Sequence, residues 1–229
     1  MSSASPYSLA PQPSYDSAYD TAFPDGIFSA YANVGSDDCV IAARAHHTIR
    51  LVYAAGRPIP AITDPEVTEE YGIECNEQGT DGLVLSISLQ DWKSRGWRAG
   101  GVSGRTIAGF NGVGGVTLAA TGAGSTGGQL SELQVMTYIF QNTGAIANLR
   151  LPSWLNAPTD DNFGPGNDWG DTSQIPMIGH TMLLTGYNEA GPIGITWGKR
   201  QQMSWPFLAK YCSGALSTGL WVVQANNST

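Results

Sequence analysis

Cys39 and His180 are the residues of this 229-residue chain best placed to do chemistry. Gly35-Ser36-Asp37-Asp38 offers a cap and an acidic first turn, and the apolar run behind it closes at Gly56 and Pro58. The spacing predicts a helix over 39–55 with Cys39 in its first turn. There the unpaired backbone N–H groups and the helix dipole favour thiolate over thiol, while the carboxyls of Asp37 and Asp38 oppose it. His180 follows Gly179 at the head of an apolar run over 181–187, where its ring can face a cleft. A thiol and an imidazole brought together perform acyl transfer: sulfur attacks a carbonyl carbon and the ring moves the proton. The bland alternative for Cys39 is a small buried residue at a helix start.

Other candidates are weaker. His46 lies seven residues after Cys39, on the same helical face, and His47 follows it. Neither joins a spacing typical of metal ligands, so no metal and no cofactor is expected. Cys39, Cys75 and Cys212 are too few and too scattered for a disulfide framework, which leaves at least one thiol unpaired within the chain. The acidic run 160–171 reads as a solvated loop beside the cleft. Trp169 and Trp197 are candidates for a substrate wall, with burial in the core as the alternative. The glycine-rich stretch 112–128 lacks a Lys-Ser/Thr ending and is no phosphate loop.

The elements that would position these groups follow from periodicity and turn residues. Residues 1–30, rich in Ser, Pro, Ala and Tyr, read as an extended arm. Helices are expected over 65–71, behind Thr63-Asp64-Pro65, and over 81–92, where the alternation of Leu83, Leu85, Ile87 and Leu89 makes a strand the competing reading. Glycine-dense 100–128 suits short strands with tight turns. A helix over 130–142, a strand over 145–151 and a long loop over 156–176 come next. Strands over 181–187 and 192–197 flank a hairpin connection at 188–191, before a helix over 204–212 and a strand over 219–224. Helices first and strands later give an α+β class.

Composition narrows the function further. Lys and Arg number 11 against 19 Asp and Glu, a net charge of −8, and only 13% of residues are charged. With no cationic cluster beyond Lys199-Arg200, nucleic acid is excluded as a partner. No apolar stretch approaches membrane-spanning length and Met1 is followed by small polar residues, so neither a membrane span nor a secretory signal is expected.

Together, Gly35-Ser36-Asp37-Asp38-Cys39 opening a helix, Gly179-His180 leading to Gly186-Tyr187, and Thr196-Trp197-Gly198 resemble the papain-like cysteine peptidases. The order of Cys, a His about 140 residues on, and a Trp-Gly strand end carries the likeness. It implies a papain-like domain over 31–229, with a helical lobe about 31–98 bearing Cys39 and a β-barrel-like lobe about 99–224 bearing His180. It also implies Cys39 as nucleophile, His180 as general base, Thr196 where the family's orienting Asn stands, and Asn33 as the amide nearest the family's oxyanion donor. Asp38-Cys39-Val40 and Met203-Ser204-Trp205 resemble, more narrowly, papain-like proteins of phages and bacteria. Two readings follow: a hydrolase of peptide or amide bonds, or a catalytically silent fold serving a virion and assembling through its arm. Host cytoplasm or virion is the corresponding location.

Overall fold

The computed structural model describes residues 28–31, 37–117, 129–155, 159, 161–214 and 218–226. Helix α1 (Cys39–Ala54) starts where the sequence places it. It ends at Gly56, whose φ of 66° lets the Arg57 N–H return to the Val52 carbonyl at 3.1 Å. Almost every side chain of α1 is buried, including Arg44, His46, His47 and Arg50, so this helix lies inside the molecule. Helix α2 (Asp64–Gln78) begins with the Thr63/Glu66 capping box and Pro65 in its first turn. It runs past Gly72 to Gly79, beyond the expected 65–71, because Glu70 and Glu74 of its later turns bind Arg44 and Arg98.

Helix α3 (Leu85–Ser94) settles the competition between helix and strand. Leu85, Leu89 and Trp92 are buried at helical spacing while Ile87 is 46% exposed, and a strand would have buried Ile87 with the two leucines.

Among the described residues that follow, one sheet and two further α-helices form. In order these are β1 (Ile107–Val116), β2 (Gln129–Leu130), α4 (Glu132–Gln141), β3 (Ala145–Pro152), β4 (Pro176–Asn188), β5 (Gly191–Thr196), β6 (Lys199–Gln202), α5 (Trp205–Tyr211) and β7 (Gly219–Ala225). The sheet order is β2-β1-β7-β3-β4-β5-β6, antiparallel except for β1 with β2. It does not close, so the barrel-like lobe expected from the sequence is an open sheet with β2 and β6 at its edges. Both faces are covered. Ile146, Leu183, Ile195 and Val223 pack with α1, α2 and α3, whereas Ala147, Leu149, Met182, Leu184 and Leu220 pack with α4 and α5. Strand alternation sends neighbouring residues to opposite layers, which explains the near-continuous apolar runs in β3 and β4.

Three readings change. The glycine-dense segment supplies a single ten-residue strand, β1, and its part over 118–128 lies outside the described residues. Strand β4 starts at Pro176 rather than at 181, so His180 sits within the sheet instead of ahead of it. Strand β6 escaped sequence reading because Lys199-Arg200-Gln201-Gln202 carries no apolar alternation; its pairing with β5 holds it. Of the expected arm over 1–30, only Phe28, Ser29 and Ala30 are described. No helix among the described residues is long and apolar enough to cross a membrane.

Candidate active site

His180 is fixed from two sides. Its Nε2 lies 2.7 Å from Thr196 Oγ1, and the Trp197 indole stacks on the imidazole at 4.6 Å with an interplanar angle of 27°. Both contacts come from the turn joining β5 to β6, where Thr196 pairs with Lys199 around Trp197 and Gly198. The two central residues have φ of 46° and 75°, as a type I′ hairpin requires. A bulky aromatic residue at positive φ is a genuine outlier, and its return here is the placement of the indole over the ring. Phe163 at 5.3 Å and Trp169 at 6.0 Å back the indole. No hydrogen bond among the described residues reaches Nδ1. Burial lowers the His180 pKa to about 4, so near pH 7 the ring is neutral and can accept a proton.

Cys39 is half-buried at the first position of α1, against Thr181, the residue after His180. Burial is the largest influence on the thiol and pushes it up. The nearby Thr181 backbone and side chain pull it down, Asp38 and Asp37 add to the rise, and the result is about 11. Asp38 is buried and does not cap the helix with its side chain, so its charge stays close to the sulfur. Helix position alone therefore does not make this thiol a thiolate.

Thr181 leads on to a cleft. Its hydroxyl donates to Asn148 Oδ1 at 3.2 Å, and Thr181, Asn148 and Gly219 stand opposite one another across β4, β3 and β7. Asn148 and Gly219 line a cleft of about 730 Å³ together with Val84, Gly114 and Trp221. One hydroxyl thus separates the thiol from the cleft wall.

The other sequence candidates fall elsewhere. Trp169 is 1% exposed with its Nε1 donating to the Asn162 carbonyl at 3.1 Å, and Trp197 is 7% exposed. Both support the His180 ring from behind rather than forming an open wall. Asn33 lies outside the described residues. His46 donates from Nε2 to the Ser29 carbonyl at 2.8 Å between the rings of Phe28 and Tyr31, and His47 reaches the Asn142 carbonyl at 3.4 Å. They fasten neighbouring segments to α1. Cys75 and Cys212 are free thiols, the latter buried. Sequence reading missed Thr181 and Asn148; the signal available was the strand alternation that sends the residue after His180 to the α1 side.

Comparison of the sequence with protein-family models and with curated proteins gives no match. Among solved structures the chain is similar to digestive procathepsin L 3 of the Tenebrio molitor larval midgut. The two share 12% identity with a TM-score of 0.48, over 96% of this chain and 71% of that one.

Proposed function

We propose that the chain is a papain-like cysteine hydrolase of peptide or amide bonds, with Cys39 as nucleophile, His180 as base and Thr196 as the group that orients the ring. The observation that carries this reading is the clamp on His180. A buried neutral imidazole bonded through Nε2 and covered on one face keeps Nδ1 as its proton acceptor. Thr196 Oγ1 can accept from Nε2 or donate to it; in the tautomer this mechanism uses, Nε2 carries the hydrogen and Oγ1 accepts it, orienting the ring as the third member of a triad does.

Because the thiol is held high and the imidazole low, attack and proton transfer go together. The step requires Cys39 Sγ, held against Thr181 next to His180 in the chain, to reach Nδ1, where the thiol gives up its proton as sulfur bonds to the carbonyl carbon. The imidazolium then protonates the leaving amine as the C–N bond breaks. Water, deprotonated by the same ring, cleaves the thioester, releases the acid and restores the thiol.

The test is turnover of a fluorogenic peptide-amide library by the full chain and by Cys39→Ala, His180→Ala, Thr196→Val and Thr196→Asn. Cys39→Ala is expected to abolish turnover and His180→Ala to lower kcat/KM by about 100- to 10,000-fold. Thr196→Val should lower kcat without a matching change in KM, and Thr196→Asn, which restores an acceptor, should recover part of it. Hydrolysis undiminished in Cys39→Ala, or no substrate turned over above the Cys39→Ala background, would overturn the assignment.

A further inference from the structure

A second cavity, of about 170 Å³, opens on the far end of α1 from Cys39. Its wall combines Leu51, Val52 and Ala55 of α1 with Ile107 and Ala225 of adjoining strands, and with Trp92, Arg57 and Arg105. One feature singles it out. Arg57 and Arg105 enter no ion pair among the described residues, although Arg95 and Arg98 are bound into carboxylate networks.

The arginines are set by the backbone. Arg57 follows Gly56 in the turn that ends α1, and Arg105 lies in a turn whose N–H returns to the Val102 carbonyl at 3.0 Å while its carbonyl accepts from Trp97 at 3.1 Å. Guanidiniums are donors only. They ask for an anion, and the planar guanidinium suits a carboxylate or a phosphate. The apolar half of the wall decides between them. A phosphate is hydrated on every side and gains nothing from Leu51, Val52 and Ile107, whereas an apolar acid buries its body there. An apolar cavity of about 150 Å³ is known to admit benzene, so the volume here suits one ring or a short aliphatic chain.

We propose that this cavity binds a small carboxylate with an apolar body, the carboxylate on Arg57 and Arg105 and the body against Leu51, Val52 and Ile107. The site is separate from Cys39 and His180 and does not depend on the chain being a hydrolase.

The experiment is isothermal titration calorimetry of the full chain with benzoate, with benzamide as the neutral isostere and with inorganic phosphate, at low and at moderate salt. Saturable benzoate binding is expected, weakened by salt and at least tenfold tighter than benzamide or phosphate. Arg57→Gln and Arg105→Gln, changes at residues that are not in the core, should each weaken benzoate about tenfold or more. Absence of saturable binding, benzamide or phosphate binding as tightly as benzoate, or Arg57→Gln and Arg105→Gln binding unchanged would each overturn the proposal.

Discussion

Thr196 offers His180 one hydroxyl where an amide or carboxylate would offer a flat, two-atom head, so the ring owes much of its orientation to the Trp197 indole above it. Cys39 depends on its partner in the same way. Its thiol sits at about 11 in the resting site and His180 at about 4, so neither is charged at neutral pH. Alkylation of Cys39 by iodoacetamide, with Cys75 and Cys212 replaced by Ala, should therefore be slow at pH 7 and rise roughly tenfold per pH unit towards 11. A plateau reached below pH 8 would mean instead that the imidazole takes the proton at rest. Cys39, His180 and Thr196 were legible because their types and order are chemical signals in themselves. Thr181 and Asn148 were not, since threonine in a strand is ordinary and only cross-strand pairing brings these two beside the thiol.

At the level of elements, the β5–β6 turn carries the most constraint. Gly198 has a φ of 75°, and a Cβ there would stand 2.8 Å from the Ala30 backbone N. Gly198→Ala is expected to destabilise the fold by about 1–2 kcal/mol from backbone conformation alone, and by more from that contact. A urea unfolding midpoint compared with the parent chain measures it, and an unchanged midpoint would contradict the tightness of this approach. The same turn shows why β6 was hidden from sequence reading while α1 was plain. Helix α1 announces itself through a cap, a long apolar run and a terminal glycine. Strand β6 is polar, four residues long, and exists because an I′ turn folds it back on β5. Helix α2 outran its expected end for a comparable reason, as no sequence period shows that Glu70 and Glu74 have cationic partners.

Across the whole molecule, burial of charge and of imidazole sets the response to mutation and to pH. Arg44 is fully buried, bonded to Glu74 and Ser88, 3.6 Å from Glu70, and stacked over Trp92 and Trp97. Arg44→Met keeps the bulk but takes from buried Glu74 its closest cation, leaving Arg98 to serve both Glu70 and Glu74, and should cost about 3–5 kcal/mol in chemical denaturation. His46, His47 and His180 are each lowered by burial from 6.5 to about 4. Between those pH values the unfolded chain binds protons that the folded chain refuses, so stability falls as pH drops from about 6.5 towards 4. Glu74, raised by burial, acts in the opposite sense above its ordinary value of 4.5, and one carboxyl does not offset three imidazoles. Urea midpoints measured from pH 7 to pH 4 should decline steadily; a flat profile would show that these rings are not held neutral.

The position of β7 between β1 and β3 also governs when the fold can form. During synthesis the ribosome delivers every other described element before residues 219–225. Until those seven residues emerge, β1 and β3 each present an open backbone edge and the apolar faces meant for Leu220, Val222 and Val223 stay wet. The β3–β6 strands can pair among themselves beforehand, but β1 joins them only through β7, so the two parts of the sheet become one only after residues 219–225 have emerged.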